Sequence, residues 1–458
     1  ASLNGNGNVF YRNLNQNYPM AVRSEGVYIY DADGKRYLDA SGGAVVVTIG
    51  HGVKEIPEAA SAQMNRITYC HSSQFTNPYQ EELAQRMADL SPGRDYHLIS
   101  LTSGSEAVEA AIKVSRQYHI ERGNESKHLI IGRKQSYHGS TLGALSATGY
   151  LSRRRKFLPM LLPFDLIDPC NCYHCPFGKT YPDCGLECAS ALEASIQRQG
   201  PENVAAFIAE TLVGTAAGAP VPPIEYFHMI REICDRHDIL FIADEVMCGM
   251  GRTGKPFAIE HWDVKPDLIA TGKGMASGYA PLSGLLVSDH IYRVFREGSG
   301  MLSNGQTFMG NPHSCAVGVA VLKYIEKHGL ISRCAEMGKI LFSELEPLRD
   351  HPLVGDIRGL GLFAGIDLIQ DPATHKPYPR KFRVVERVVE EAFRRGLILY
   401  PGSGGADTEE GDHLLIAPPF VITKEQIKEA VSLLKDALSA VHMDLESSLK
   451  PLKAVSAS

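Results

Sequence analysis

Short apolar runs alternate with amphipathic stretches through the middle of the chain. Such runs predict buried strands of a largely parallel sheet, because parallel sheets are covered on both faces. Six segments have this pattern: residues 98–101, 128–132, 204–209, 240–243, 268–270 and 283–287. A helical pattern over residues 224–238 separates two of them. The alternation predicts helices on both faces of the sheet and a ligand site beyond the carboxyl ends of its strands.

The two ends of the chain carry a different pattern. Residues 26–39 hold two alternating apolar runs around an Asp-Gly pair, which is typical of a β-hairpin. Beyond about residue 317, long helical patterns surround strand patterns near residues 361–368 and 414–416. The helical patterns cover residues 315–328, 331–349, 381–395 and 424–442. We therefore expect an N-terminal segment of a small α+β domain, a large α/β domain, and a C-terminal segment of the small domain: residues 1–60, 61–320 and 321–458.

Composition and charge exclude several classes of protein. The 458 residues are 44% hydrophobic and 21% charged, which is enough apolar material for a sizeable core. The net charge is -6, and the one dense basic run, residues 153–156, is too short to indicate a nucleic-acid surface. No segment is long and apolar enough to span a bilayer, and residues 1–18 lack the apolar stretch of a signal peptide. We expect a cytoplasmic protein without a nucleic-acid or membrane partner, whose ten cysteines are reduced thiols.

Ionisable side chains follow two neighbouring strands of the predicted sheet. Asp244 and Glu245 follow the strand at 240–243, and Lys273, flanked by glycines, follows the strand at 268–270. Taken singly, the acids are equally consistent with a helix cap or a surface loop, and a lone lysine at such a position usually lies in a solvated turn. A Schiff-base lysine needs a partly desolvated site and an electron sink, which pyridoxal phosphate supplies when a carboxylate keeps its ring nitrogen protonated. Asp244 and Lys273 fit these two roles.

Two further elements would complete a site for this cofactor. The segment at 102–107 follows a strand and opens a helix, so its free backbone N–H groups face an anion such as a phosphate. Ser103 or Ser105 is equally suited to an ordinary N-cap, which uses the same residues. Tyr137 follows the strand at 128–132 and could lie over the pyridine ring, although an aromatic residue there is more often core packing.

The order and spacing of these residues resemble those of the class III aminotransferases, which are fold type I pyridoxal-phosphate enzymes. The resemblance extends from Tyr37-Leu38-Asp39 to Ala417-Pro418-Pro419-Phe420. Its most specific part runs from Asp244 through the glycine-rich loop at 249–254 to Lys273. It implies an α/β fold similar to that of aspartate aminotransferase, with a mostly parallel sheet of the seven-stranded type in the large domain and a smaller α+β domain beside it.

The resemblance also implies a role for each matching position. Lys273 would carry the cofactor as a Schiff base, and Asp244 would be the partner of the pyridine nitrogen. The other cofactor-binding positions are Gly104 and Ser105 at the phosphate, Tyr137 on the ring with His138 in the same element, Val246 on the opposite face, Glu210 near the ring hydroxyl, and Thr307 at the phosphate of the other subunit. The family's proline after the glutamate is Thr211 here. A threonine from a second subunit implies a homodimer with shared active sites and an inactive monomer.

Arginines that bind substrate in relatives are missing at two positions. Relatives that act on γ-aminobutyrate or ornithine commonly have an arginine where this chain has Ser140. Serine cannot form the bidentate clamp that a guanidinium forms with a carboxylate. Many ω-transaminases also have a mobile arginine shortly before the Ala-Pro-Pro element, but residues 399–418 contain none. Two alternatives stay open: another arginine, such as Arg12 or one of those at 153–155, binds the substrate carboxylate, or the keto acid is held in a different way.

A cysteine cluster allows two interpretations. Its members are Cys170, Cys172, Cys175, Cys184 and Cys188, with His174 among them. Zinc favours thiolate and imidazole ligands, and the Cys172-x-x-Cys175 step is typical of zinc sites. The alternative is a folded loop of reduced thiols at the dimer interface or the active-site entrance. The second half of a standard zinc motif is absent, and we assign no metal ligand.

Together these features predict a pyridoxal-phosphate-dependent transaminase that moves an amino group from an amine or ω-amino acid to a keto acid such as pyruvate. A racemase or epimerase, a lyase and a decarboxylase are alternatives on the same scaffold, since fold does not fix function. A metal-binding or redox-sensing protein built around the cysteines is a further alternative. A nucleotide-dependent enzyme is disfavoured, because no Gly-x-Gly-x-x-Gly motif follows the first strand of the sheet.

Overall fold

The structure, a computed structural model, describes the backbone of residues 8–456 and the side chains up to residue 448. The strands within this range are β1 Ala21–Glu25, β2 Tyr28–Asp31, β3 Arg36–Asp39, β4 Tyr96–Leu101, β5 Leu129–Arg133, β6 Asp165–Ile167, β7 Val204–Glu210, β8 Leu240–Asp244, β9 Leu268–Thr271, β10 Ser283–Ser288, β11 Val354–Leu360, β12 Phe363–Asp371, β13 Lys376–Pro377, β14 Leu397–Ile398, β15 Tyr400–Ser403 and β16 Asp412–Ile416.

The α-helices in the same range are α1 Gly42–Val45, α2 Glu55–Met64, α3 Pro78–Leu90, α4 Gly104–Glu121, α5 Leu142–Ala147, α6 Leu151–Arg154, α7 Glu187–Gln199, α8 Ile224–Arg236, α9 Asp289–Glu297, α10 Pro312–Lys327, α11 Leu330–Leu345, α12 Val384–Arg394 and α13 Lys424–Ser456. Short 3-10 helices occur at Arg155–Met160, Ala258–His261, Lys273–Met275, Glu346–Asp350 and Arg380–Phe382. No helix in the described range is long and apolar enough to cross a membrane.

The large sheet has seven strands in the order β4-β10-β9-β8-β7-β5-β6. Strands β9, β8, β7, β5 and β6 are parallel, whereas β10 is antiparallel to both of its neighbours. The mostly parallel sheet predicted from the sequence is therefore confirmed. β6 was not predicted, because three residues are too few to give a recognisable pattern. The direction of β10 could not be predicted either, because a buried apolar run reads the same in both directions.

The register of the sheet brings the acidic residues together. Glu210 at the end of β7 lies opposite Asp244 at the end of β8. Asp244 in turn lies opposite Ala270 of β9, and Lys273 follows three residues later. All three strands are parallel, so their carboxyl ends meet at one edge. This register, rather than proximity in sequence, brings the ionisable side chains into one cluster.

Two smaller sheets are formed by the ends of the chain. The first has the order β1-β2-β3-β14, and β14 pairs in parallel with β3 through Leu397 opposite Leu38. The second has the order β11-β12-β16-β15, with β13 paired to β12. The N-terminal hairpin thus shares a sheet with a C-terminal strand, as expected of a small α+β domain built from both ends. The domain limits themselves, given above by residue number, stay a prediction.

Two predicted helices have different bounds in the structure. The helix predicted for residues 331–349 is α11 followed by the 3-10 turn Glu346–Asp350, since Pro347 cannot donate an amide proton inside a helix. The helix predicted for residues 381–395 begins at Val384, because Arg383 before it has a left-handed backbone with φ 49°.

Arg252, in the glycine-rich loop after β8, ties this loop to both ends of the chain. Its guanidinium is buried and donates to the carbonyl oxygens of Val47 at 3.0 Å, Leu362 at 3.2 Å and Pro418 at 2.6 Å. The same group lies 4.7 Å from the ring centre of Phe420. Three segments far apart in sequence therefore depend on one side chain for their buried carbonyl groups.

Replacing Arg252 with methionine should lower the urea concentration at the midpoint of unfolding. Methionine leaves three buried carbonyl oxygens without this donor, and each unsatisfied group costs about 1–3 kcal/mol. Removal of a buried charge offsets part of this cost, so we expect a net loss of about 2–4 kcal/mol. Arg155→Met is the matched control, because the exposed ion pair of Arg155 with Glu409 contributes roughly 0–1 kcal/mol. Equal midpoints for the two variants would contradict this role of Arg252.

Candidate active site

Lys273 lies at the carboxyl edge of the large sheet in a desolvated, partly buried position. Its Nζ donates a hydrogen bond of 2.8 Å to the carbonyl oxygen of Ala44, in the N-terminal segment. Burial lowers the pKa of Lys273 to about 8, although the nearby carboxylates of Glu210 and Asp244 oppose this shift. An amine in this environment is partly neutral near pH 8 and can act as a nucleophile or a base.

Asp244 is held in a fixed orientation by two contacts. Its Oδ2 lies 2.7 Å from Nδ1 of His138, and its Oδ1 accepts a hydrogen bond of 3.0 Å from the backbone N–H of Val246. Both side chains of the histidine–aspartate pair are almost completely buried. Because the carboxylate accepts the proton on Nδ1, the contact fixes the orientation of both groups. His138 is thus a support for Asp244.

Glu210 is buried beside Asp244 and contacts backbone groups of two loops. Its Oε1 accepts a hydrogen bond of 2.7 Å from the N–H of Tyr137, and its Oε2 accepts one of 3.1 Å from the N–H of Gly214. Burial raises the pKa of Glu210 to about 7, with a further contribution from the charge of Asp244 and opposition from His138. Two carboxyl groups in one dry site are not easily ionised together, so Glu210 can hold a proton near neutral pH.

Glu245 is a buried acid whose role the sequence did not reveal. Its Oε1 accepts hydrogen bonds from the Thr211 hydroxyl at 2.6 Å and the Ile259 N–H at 2.8 Å, and its Oε2 accepts one from the Ala258 N–H at 2.8 Å. The departure from the family pattern at Thr211 therefore has a structural reason. The hydroxyl of Thr211 joins the end of β7 to the loop after β8.

An anion cradle lies where α4 begins. Ser103 caps this helix by accepting the N–H of Glu106 at 3.3 Å, so the N-cap interpretation of Ser103 is correct. Ser105 is free of that role, and its hydroxyl instead accepts the N–H of Ser140 at 3.0 Å. A Cβ on Gly104 would lie 2.8 Å from Val246, which packs against this turn. The first turn of the helix thus presents N–H groups at the same edge as Asp244 and Lys273.

Tyr137 is half-buried and forms part of the wall of a cavity of about 410 Å³. Other walls come from Ser140, Thr215 and Tyr400. Burial raises the pKa of the Tyr137 phenol. The cavity is large enough for a small organic molecule, and Tyr137 joins it to the buried acids through the contact of its backbone with Glu210.

The sequence profile of the class III aminotransferases matches residues 10–438. The chain belongs to this family. The aminotransferase YodT of Bacillus subtilis, itself uncharacterised, is 39% identical, with 94% of this chain and 98% of YodT covered. The putrescine–pyruvate aminotransferase of Pseudomonas aeruginosa is 36% identical, with 93% and 92% covered. A solved (S)-enantioselective ω-transaminase from Thermomicrobium roseum is 34% identical, with a TM-score of 0.87 and 93% and 94% covered.

These comparisons confirm the family and the fold type predicted from the sequence. The chain is an aminotransferase of fold type I, and the class III family is pyridoxal-phosphate-dependent. The roles of individual residues stay predictions. The structure brings Lys273, Asp244, Glu210 and His138 into one buried cluster and puts the cradle and Tyr137 at its edge.

Thr307 lies on the surface of this aminotransferase, outside the buried cluster. Its side chain is exposed, and its carbonyl oxygen accepts a hydrogen bond of 2.8 Å from the Tyr69 hydroxyl. The exposed ring of Phe308 meets the ring of Tyr69 edge-on, with centroids 6.3 Å apart. Two aromatic rings, those of Tyr69 and Phe308, therefore lie beside Thr307, and the surface there is exposed in the single chain.

The side chains of the cysteine loop contact one another and other parts of the chain. In the described part of the chain, no group of three or more His, Cys, Asp or Glu side chains is placed to hold a metal ion. The thiol of Cys170 is buried close to those of Cys172 and Cys188, and the influence of Cys170 lowers the pKa of the Cys172 thiol. His174 lies 3.1 Å from Asp367 instead. All ten cysteines are free thiols.

Replacing Lys273 with methionine should stabilise the cofactor-free protein at pH 7. Below pH 8 folding buries a charged ammonium group, because burial lowers the pKa of Lys273 from 10.5 to about 8. Between these two values the unfolded chain binds more protons than the folded chain, so the wild type gains stability as the pH rises. We expect an advantage of about 2–3 kcal/mol for Lys273→Met at pH 7 that shrinks above pH 8, measured by urea unfolding.

Lys156→Met serves as the control, because Lys156 is exposed and its loss changes only the surface charge. A difference between Lys273→Met and the wild type that stays constant from pH 7 to pH 10 would contradict the lowered pKa of Lys273.

Proposed function

We propose that this aminotransferase uses pyridoxal phosphate on Lys273 to move an amino group from an amine or ω-amino acid to a keto acid such as pyruvate. One observation carries the proposal: Lys273 is desolvated at the same sheet edge as the fixed carboxylate of Asp244. The similarity to a putrescine–pyruvate aminotransferase supports an amine donor and a keto-acid acceptor.

The residues present fit this cofactor. A ring nitrogen that must stay protonated needs a carboxylate, and Asp244 is buried with its two oxygens hydrogen-bonded to His138 and to the backbone N–H of Val246. A phosphate needs N–H donors, which the start of α4 supplies. The cradle also requires glycines: a Cβ on Gly104 would lie 2.8 Å from Val246, and one on Gly139 would lie 2.6 Å from a hydroxyl oxygen. These features support a site built for a flat, phosphorylated ring.

Each predicted site residue receives a role in the proposal. Asp244 holds the proton of the ring nitrogen, and His138 holds Asp244 in place. The other assignments are Gly104 and Ser105 to the phosphate, Tyr137 and Val246 to the two faces of the ring, and Glu210 to the ring hydroxyl. The raised pKa of Glu210, about 7, lets it share a proton with that hydroxyl.

Lys273 would also move the proton during the reaction. When bound, pyridoxal phosphate supplies an electron sink for the electron pair left on the substrate carbon. Because burial lowers the pKa of Lys273, a neutral Nζ is available near pH 8 to accept the proton from that carbon. Return of the proton from Nζ to a different carbon gives transamination, whereas return to the same carbon gives racemisation.

We further propose that the enzyme is a homodimer in which Thr307 of one subunit completes the phosphate site of the other. The exposed rings of Tyr69 and Phe308 support an apolar contact at this surface. In the single chain, Thr307 is exposed and lies outside the buried cluster, so it needs a second copy to reach a phosphate site. The monomer would then be inactive.

An amine donor without acceptor should convert the bound cofactor to pyridoxamine phosphate in the wild type and not in Lys273→Ala. The lysine is needed both to carry the cofactor and to move the proton, so we expect a rate loss of at least about 10³-fold. The measurement is the pyridoxamine phosphate released after denaturation, separated by chromatography.

Borohydride reduction of the holoenzyme fixes the cofactor to its lysine, and peptide mapping then identifies that lysine. Attachment of the cofactor to any lysine other than Lys273 would overturn the assignment. A wild type that racemises or decarboxylates amino acids without forming pyridoxamine phosphate would favour one of the alternative reactions on the same scaffold.

Mixed dimers of Lys273→Ala and Thr307→Ala should regain activity that neither variant has alone. If sites are shared, the mixed dimer has one site with Lys273 from one chain and Thr307 from the other, and this site is intact. We expect about a quarter of the wild-type activity when equal amounts of the variants are refolded together, since half of the dimers are mixed and each has one of two sites. Activity no higher than the sum of the separate variants would exclude the shared site.

A further inference from the structure

The arginines in the basic run after β5 point to different surroundings. Arg154 donates to the carbonyl oxygen of Thr148 at 2.7 Å. Arg155 forms an ion pair of 2.5 Å with Glu409. Arg153 does neither and contributes to the wall of the cavity beside Tyr137. The structure therefore separates three consecutive arginines that the sequence alone could not distinguish.

Arg12 reaches the same cavity from the N-terminal segment. Both arginines act on the Tyr137 phenol: burial raises its pKa most strongly, while the charges of Arg153 and Arg12 lower it. Within the described range, neither arginine has a carboxylate partner. Two guanidinium groups that share a cavity repel each other, and an anion between them would remove that repulsion.

The remaining walls restrict what the anion can be attached to. Leu145 and Phe157 give the cavity an apolar side, and Tyr400 and Thr215 supply hydroxyl groups. Tyr150 supports the arginine: it is buried, its hydroxyl lies 3.1 Å from Ser403 Oγ, and its ring centre lies 5.9 Å from the Arg153 guanidinium carbon. The cavity thus suits a short carbon chain that ends in an acid group.

We propose that Arg12 and Arg153 together bind the carboxylate of the substrate. The assignment rests on the proposed function, since it names the group that the transaminase recognises in its keto acid or amino acid. The binding chemistry is a charge-assisted hydrogen bond from a guanidinium to a carboxylate, which planar arginine forms well. This pair takes the place of the arginine that is missing from residues 399–418.

The first experiment compares substrates with and without a carboxylate in half-reactions of the holoenzyme. The donors are 5-aminopentanoate and pentylamine, and the acceptors are pyruvate and butanal. The variants are Arg12→Met, Arg153→Met and the double variant, with Arg155→Met as matched control because it removes a charge from the same basic run. The readout is the ratio of kcat/KM between the carboxylate and the neutral substrate of each pair.

In the double variant this ratio should fall about 10- to 100-fold for at least one pair, as expected when charge-assisted hydrogen bonds are lost. A fall for pyruvate alone assigns the carboxylate of the acceptor, and a fall for 5-aminopentanoate alone assigns that of the donor. Arg155→Met should leave both ratios unchanged. Unchanged ratios in the double variant, or an equal fall in Arg155→Met, would overturn the proposal.

A binding measurement keeps this inference separate from the proposed function. Glutarate, a dicarboxylate with no amino or keto group, is titrated into the holoenzyme by calorimetry. The double variant should bind it about 10-fold more weakly than the wild type or Arg155→Met. A wild type that fails to transaminate any donor would contradict the proposed function, whereas equal glutarate affinity in all three proteins would contradict the arginine site.

Discussion

The burial of charge at the carboxyl ends of three adjacent parallel strands is the constraint that shapes this site. Glu210, Asp244 and Glu245 lie at or next to those ends and are buried, and Lys273 lies close by in a desolvated, partly buried position. Buried charges are costly unless they are paired or hydrogen-bonded, so the surrounding loops must supply donors. The two glutamates can also avoid the cost by being protonated, because burial raises the pKa of each to about 7.

The loops around the buried acids supply the hydrogen-bond donors that these acids need. The N–H groups that satisfy Glu210 come from the element containing Tyr137 and from the turn after β7, and those that satisfy Glu245 come from the segment after the glycine-rich loop. The conformations of these loops are therefore tied to the acids that they surround. Arg252 adds a second tie by joining the glycine-rich loop to both ends of the chain.

Much of this could be predicted from the sequence. Continuous apolar runs predict central strands, and the spacing of Asp244 and Lys273 predicts a meeting at strand ends. Other features had no local signal. β6 is too short, the direction of β10 depends on its neighbours, and the hydrogen bond from Lys273 to Ala44 spans 229 positions. The separation of Arg153 from its two neighbours depends on where Thr148 and Glu409 lie, which only the tertiary structure determines.

The pairing of β3 with β14 has a consequence for biosynthesis. Leu38 is made early and its partner Leu397 late, so the N-terminal sheet stays incomplete on the ribosome while the whole large sheet is synthesised. The carbonyl oxygen of Ala44, which binds Lys273, belongs to the segment that directly follows β3. Central strands can associate as they emerge, but β3 gains its parallel neighbour only after the chain has been made as far as β14. In a nascent chain stalled before β14, the segment that accepts the hydrogen bond of Lys273 would therefore follow a strand with one unpaired edge.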